Sequence, residues 1–234
     1  MPFPLRQALS ANPAVFHSYG LFRRPVQWTL RACAAGLALV LAFAPFQAQA
    51  QVALVVLGDS LSAGYQLPAD AAFPAVLERA LKAKGHKVEI SNAAVSGDTS
   101  TGGLARLDWA IDAGTKAVIL ELGANDMLRG LDPAVTRAAL DAILVRLKAK
   151  NIRVLLAGML ASPTLGADYG AKFNALYGDL AKKHGAIFYP FFLDGVAADA
   201  KLNLADGMHP NRAGVERVVA GILPSVEALL KEVE

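Results

Sequence analysis

Ser60 ends a continuous apolar run. Val52-Ala53-Leu54-Val55-Val56-Leu57 stops at the turn Gly58-Asp59-Ser60. A run of this kind reads as a buried strand of a parallel sheet. A serine just past the carboxyl end of such a strand lies where open α/β sheets bind ligands. Ser60 is therefore a candidate nucleophile, with a plain helix cap as the alternative. A serine nucleophile needs a base, and elimination narrows the choice. Residues 51–234 contain three histidines. His86 and His184 each adjoin a helix-ending glycine, Gly85 and Gly185, where a partial positive charge is favoured. His209 instead follows Asp206 by three positions across Gly207 and precedes Pro210. Proline biases His209 toward an extended backbone and suits the first turn of the helix beyond. An Asp-Gly turn can fold the carboxylate onto one imidazole nitrogen and leave the other facing outward. That is the arrangement a general base requires. An ordinary turn aspartate beside a loop histidine is the alternative.

Attack by serine on a carbonyl creates an oxyanion, which needs preorganised N–H donors. Gly97 has no Cβ, so its amide can approach a ligand closely. Asn125 offers a side-chain amide, and the Ser60 backbone N–H is a third donor. A loop glycine or asparagine is also ordinary turn chemistry. Asp59 and Asp98 are less suitable as the acid. Asp59 adjoins Ser60, so its side chain points away from the serine's and is expected to brace the turn or a neighbouring loop. Asp126 reads as structural. No acidic residues cluster as metal ligands do, so no metal and no cofactor are expected.

These residues need strand ends to hold them. Val88-Glu89-Ile90, Ala117–Leu122, Ile152–Gly158 and Ala186–Tyr189 read as further strands after the first. Helical spacing is predicted over Ala71–Lys84, from a Thr99 or Ser100 cap to about Gly114, and over Pro133–Lys150 and Tyr169–His184. A last helix starts at Asn211, and Pro224 is expected to kink or split it. Phe191–Leu204 reads as an irregular connection with at most one helical turn. Strands alternating with helices predict one α/β domain with a parallel sheet covered on both faces. The loops after the first three strands, bearing Ser60, Gly97 and Asn125, then leave from one edge.

The first fifty residues read differently. They hold Arg6, Arg23, Arg24 and Arg31 and no acidic residue, then an apolar stretch from Ala34 to Ala44 and Ala48-Gln49-Ala50. A basic region, a short apolar core and a small-x-small site predict a secretory signal peptide over 1–50 and a domain over 51–234. The core is shorter than the roughly 20 residues a bilayer span needs. An uncleaved anchor is the alternative. Arg23-Arg24 matches a twin-arginine signal poorly, given Pro25-Val26-Gln27-Trp28 after it. The whole chain has 23 basic and 20 acidic residues, net +3. Without the four arginines 19 basic residues face 20 acidic ones, a net charge of −1. The basic character thus belongs to the leader, which removes the main support for nucleic-acid binding. Cys33 is the sole cysteine and precedes the apolar core, so the domain has no disulfide, thiol nucleophile or thiolate-ligated metal.

Gly58-Asp59-Ser60-Leu61, Gly97, Gly123-Ala124-Asn125-Asp126 and Asp206-Gly207-Met208-His209-Pro210 occur in order, each at a predicted strand end or before the last helix. Together they resemble the four blocks of the SGNH (GDSL) hydrolase superfamily. The longer strings Gly-Asp-Ser-Leu-Ser-Ala-Gly-Tyr, Ser-Gly-Asp-Thr-Ser and Asn-Asp-Met-Leu-Arg-Gly are most similar to the thioesterase I, lysophospholipase L1 and arylesterase group. The resemblance implies a flavodoxin-like three-layer α/β/α sandwich with a five-stranded parallel sheet. It implies Ser60 as nucleophile, Asp206 and His209 as acid and base, and Ser60, Gly97 and Asn125 as oxyanion donors. Ala124 departs from the pattern, where relatives often carry a second glycine. The lipase elbow G-x-S-x-G is absent, which disfavours a standard α/β-hydrolase.

The implied activity is hydrolysis of acyl esters and thioesters through an acyl-enzyme, by an exported bacterial enzyme, periplasmic or secreted. The expected partner is a small acyl ester, with no nucleic acid, no membrane span after cleavage, and a monomeric state. Leu61, Tyr65, Met127, Leu128, Leu160 and Met208 are candidate substrate contacts, with Leu67 and Leu131 nearby. An apolar groove favours fatty acyl chains. Leu160–Asp168 and Met127–Asp132 are candidate mobile flaps over it. A carbohydrate acetylesterase of the same superfamily is a competing expectation, weakened by a single tryptophan, Trp109, after the leader. A non-catalytic binding protein is another. Phosphate binding by the Gly58–Gly64 turn is disfavoured, since neither the Walker lysine nor G-x-G-x-x-G is present.

Overall fold

The computed structural model describes residues 51–233. The signal-peptide reading of residues 1–50 falls outside them. The described chain starts with β1 (Val52–Gly58), a one-turn helix α1 (Ser60–Ala63) and a 3₁₀ turn (Ala69–Ala71), then α2 (Phe73–Ala83) and β2 (Val88–Asn92). Two short helices follow, α3 (Ser100–Ala105) and α4 (Leu107–Ala110), then β3 (Ala117–Glu121), α5 (Ala124–Leu128) and α6 (Pro133–Ala149). The rest is β4 (Arg153–Ala157), a 3₁₀ turn (Pro163–Leu165), α7 (Ala167–His184), β5 (Ile187–Tyr189) and α8 (Arg212–Lys231).

The five strands pair in parallel in the order β2-β1-β3-β4-β5. The central strands show no apolar–polar alternation because both of their faces are covered: Leu54, Val56, Val118, Ile119 and Leu155 are all buried. On one face α2 packs on α8; on the other α6 packs on α3 and α7. This is the three-layer α/β/α sandwich that the motif pattern implies. The order reverses direction at β1, so a crevice opens between the carboxyl ends of β1 and β3.

Local chemistry explains the helix limits. Asp132 caps α6 by accepting from Ala134 N–H at 2.8 Å, and Pro133 takes the first position, where no partner is lost. Asn211 caps α8 through Gly214 N–H at 3.0 Å. Phe73, Leu77 and Leu81 recur every four residues and bury one stripe of α2.

Two expected helices differ. The helix predicted from Thr99 or Ser100 to Gly114 breaks into α3 and α4 at Arg106, whose backbone sits at φ −100°, ψ 4°. Its guanidinium turns inward instead, to Asp98 and to the carbonyls of Ala93 and Gly58. Thr99 does cap α3, accepting from Gly102 N–H at 3.1 Å. Pro224 does not split α8, which runs unbroken to Lys231. Pro224 and Ala220, the residue whose carbonyl loses its donor, are both exposed, so water can serve that carbonyl. Ile222, Val226, Leu229 and Leu230 meanwhile stay buried along the helix. The Phe191–Leu204 connection holds no helix and runs as successive turns, pinned by Asn203, whose amide donates to the carbonyls of Val196 and Asp199 at 2.7 and 2.8 Å.

Candidate active site

Ser60 opens α1 directly after β1 and faces the crevice. Asp59 caps that turn: its Oδ1 accepts from Leu61 N–H at 3.0 Å. Ser60 Oγ lies 2.9 Å from His209 Nε2. His209 Nδ1 lies 2.7 Å from Asp206 Oδ2. These three side chains, 149 and three positions apart in sequence, form one continuous hydrogen-bonded line.

The Asp206 carboxylate is held by its own turn. Its Oδ1 accepts from the N–H groups of His209 and Met208 at 3.0 and 2.9 Å. Those two bonds, with the imidazole contact, hold its carboxyl down at about 2. Asp206 is thus an anion at neutral pH, suited to orient the ring and to offset positive charge on it. The ring of Tyr65 lies over that of His209, centroids 4.4 Å apart and planes tilted by 35°.

The other side of the crevice holds Asn125 and Gly97, the expected donors. Asn125 stands at the start of α5, past β3, and its Nδ2 donates to Asp59 Oδ2 at 3.1 Å. One amide hydrogen is used by Asp59; the second is available to a ligand. Gly97 has φ +88° and open space where a Cβ would stand, so its backbone conformation is what calls for glycine. Its carbonyl accepts from Arg129 at 2.8 Å, which ties down the Gly97–Asp98 peptide beside it. Gly123 is required for a different reason. At φ +120°, a Cβ there would lie 2.1 Å from the Tyr177 hydroxyl, which donates to Leu122 carbonyl at 3.1 Å.

Beneath these groups lies a buried polar layer. Asp59, Ser62, Ser100, Asp126 and Thr136 are fully buried, and Glu121 is 1 % exposed. Asp126 accepts from the Ser100 N–H at 2.7 Å, from the Ser100 hydroxyl, and from Thr136 Oγ1 at 3.0 Å. Burial pushes the Asp59 carboxyl up to about 6, against the Leu61 and Asn125 hydrogen bonds that pull it down. Burial and the neighbouring Asp59 charge push Glu121 well above the usual carboxylate range.

A cavity of about 790 Å³ opens over Ser60. The six expected contacts, Leu61, Tyr65, Met127, Leu128, Leu160 and Met208, all line it; Leu67 and Leu131 do not. Sequence reasoning missed its far wall: Met159, Phe191, Leu193, Ala197 and Ala198. These follow β4 and β5, whose ends share the sheet edge with the motif loops, and that shared edge was the available signal. It also missed Arg106, whose acceptors lie 8, 13 and 48 positions back, and Glu121, whose partners lie 62 and 59 positions away. His86 and His184 lie apart from the cavity, against Glu227 and Asp141. Asp98 is bound by Arg106.

Residues 56–217 match the model of the GDSL-like Lipase/Acylhydrolase family. The chain belongs to that family. Among its relatives, Esterase TesA of Pseudomonas aeruginosa is 38 % identical over 185 residues, 79 % of this chain and 92 % of that one. Thioesterase 1/protease 1/lysophospholipase L1 of Escherichia coli K12 is 41 % identical over 175 residues, covering 74 % and 83 %. The crystal structure of TesA superimposes with a TM-score of 0.72 at 36 % identity, covering 76 % of this chain and 99 % of that one. AlinE4, an SGNH-hydrolase family esterase, gives 0.65 at 42 % identity over 77 % and 97 %. This GDSL-family chain is accordingly a hydrolase of acyl bonds. Among its described residues no helix is long and apolar enough to cross a membrane.

Proposed function

We propose that this chain is an exported serine esterase that cleaves carboxylic esters and thioesters of medium to long acyl chains. The observation that carries the reading is the Ser60–His209–Asp206 line at 2.9 and 2.7 Å on the floor of an apolar cavity. His209 Nε2 takes the Ser60 proton as Oγ bonds to the acyl carbon. The electron pair of the carbonyl moves to its oxygen, which the Ser60 and Gly97 N–H groups and Asn125 Nδ2 receive. Collapse of that adduct expels the alcohol or thiol, which takes the proton from His209. Water, deprotonated by the same nitrogen, then attacks the acyl-enzyme and releases the acid and Ser60. The buried Asp59 carboxylate aims Asn125, so this donor is oriented before the charge develops.

The acyl chain lies along Leu61, Met127, Leu128 and Leu160 toward Phe191 and Leu193. A cavity of this size with apolar walls supports a fatty acyl substrate over an acetylated sugar. Leu128, the last residue of α5, and Leu160 are exposed on its lip, and the segments Met127–Asp132 and Leu160–Asp168, which join helix ends to the loops between them, act as movable walls. Amide exchange in those loops as slow as in β1 and β3 would count against that motion. Export rests on the basic and apolar leader of residues 1–50 and is tested by amino-terminal sequencing of the protein recovered outside the cytoplasm; the monomeric state is tested by light scattering.

The direct test is hydrolysis of p-nitrophenyl esters of two to sixteen carbons and of a long-chain acyl-CoA, with Ser60→Ala as control. The expected result is a medium-to-long optimum that the substitution abolishes. Acetyl-only turnover would transfer the chain to the acetylesterase reading, and absence of Ser60-dependent turnover would remove the hydrolytic mechanism.

A further inference from the structure

Glu121 is the last residue of β3 and lies beside Gly58, the last residue of β1. Its carboxyl reaches under the nucleophile turn rather than into the cavity. Oε2 accepts from Ser62 Oγ at 2.7 Å and from Asp59 N–H at 3.3 Å. Both donors belong to the turn that carries Ser60, one on each side of it. Gly58 has no room for a side chain because of this carboxyl: a Cβ there would lie 2.7 Å from Glu121 Oε2 and 2.8 Å from Ser62 Oγ. Three residues, Gly58, Ser62 and Glu121, are thus fitted to one another directly below Ser60. The proposed mechanism leaves this carboxyl unused.

We propose that Glu121 is a positioning residue for acyl transfer: through Ser62 Oγ and the Asp59 N–H it sets the Ser60 hydroxyl and the Ser60 oxyanion N–H at their working places. The inference rests on Ser60 being the nucleophile. The position of the turn matters twice, because Ser60 supplies both the attacking oxygen and one oxyanion donor, and Asp59 of the same turn aims Asn125. A small displacement would therefore misplace three reacting groups together.

The part of the carboxyl that does this is an acceptor oxygen, not a charge. Oε1 is buried and has no hydrogen-bond partner. A carboxylate there would leave half its charge unpaired in the interior, at a large desolvation cost. The titratable groups facing it are Asp59, from the turn, and the Tyr177 hydroxyl, from α7; an ionised Asp59 repels a second anion. Glu121 therefore serves as a neutral acid, and a glutamine, with one carbonyl oxygen in the same place, can replace it.

The test compares kcat and KM for p-nitrophenyl ester hydrolysis in wild type, Glu121→Gln, Glu121→Ala and Ser62→Ala, with melting curves and Ser60→Ala alongside. The expected result is that Glu121→Gln stays within about threefold of wild type. Glu121→Ala and Ser62→Ala are expected to lose about 10–100-fold in kcat with KM changed less than about twofold, in folded protein. Should Glu121→Ala not fold, Glu121→Gln and Ser62→Ala decide between them. The inference is overturned by kcat within about twofold of wild type in folded Glu121→Ala or Ser62→Ala, or by Glu121→Gln falling as far as Ser62→Ala. Turnover that survives Ser60→Ala overturns the nucleophile assignment itself, and this inference with it, and is told apart by that control.

Discussion

Asp206 and His209 sit three residues apart on one partly exposed turn, bound mainly to each other and to their own backbone. Asp59 and Asn125 come from turns 66 positions apart and meet within a buried layer at the ends of β1 and β3. The proposed acid–base side is ordered by local hydrogen bonds that a short peptide turn supplies. The proposed nucleophile side is ordered by tertiary packing, and its hydrogen bonds run across the sheet. Local order leaves His209 near solvent, where protons can pass. Tertiary order holds the proposed oxyanion donors in place, where displacement would cost most.

The largest expected effect lies where the two sides meet. Ser60→Ala should lower kcat by about 10⁶-fold with folding unchanged, measured by steady-state turnover and melting. Next comes the local side: Asp206→Asn should cost about 10⁴-fold in kcat by removing the orienting carboxylate, while the melting temperature at neutral pH falls by less than in Asp126→Ala. On the tertiary side, Asn125→Ala should cost about 10²–10³-fold in kcat, the loss of one oxyanion donor. Asp126→Ala should do the opposite of Asp206→Asn. It leaves the buried Ser100 and Thr136 hydroxyls without their acceptor and should cost about 3 kcal/mol of stability in denaturant titration. A stability loss from Asp206→Asn as large as that from Asp126→Ala would break the contrast.

The legible part of the molecule follows the same division. Asp206, Gly207 and His209 are close in sequence, so their geometry could be argued from one turn. The strands could be read from their apolar runs, and their parallel order from the helices between them. Ser60, Gly97 and Asn125 were reachable because each falls at a strand end on one edge. Glu121 was hidden inside a run that reads simply as buried strand, and its partners Asp59 and Ser62 lie 62 and 59 positions away. Arg106 was hidden by helical spacing; its three acceptors decide the break between α3 and α4, and no local pattern encodes them. The far cavity wall at Phe191–Ala198 lacks periodicity altogether, so only the fold places it.

The smallest expected effect is in the pH dependence of stability, where the two sides differ in sign. The Asp59 carboxyl rises from 3.8 to about 6 in the folded chain, so between those values the fold binds more protons than the unfolded chain. Its contribution to stability therefore falls as pH rises through that window. Asp206 goes from 3.8 down to about 2, so its contribution is present above 3.8 and is lost as pH falls toward 2. The melting temperature of Asp59→Asn minus that of wild type should accordingly grow between pH 4 and 6. The advantage of wild type over Asp206→Asn should shrink below pH 4. Parallel curves for either pair would contradict the environments assigned to these carboxyls.

The central claim is that Ser60 carries the acyl group between two half-reactions. The most direct measurement is intact-mass and peptide analysis of enzyme acid-quenched within the first turnovers of p-nitrophenyl octanoate. The account predicts an added octanoyl mass confined to the peptide that contains Ser60, with a matching burst of p-nitrophenol, both absent in Ser60→Ala. An acyl adduct on another residue, or full turnover by Ser60→Ala, would contradict it.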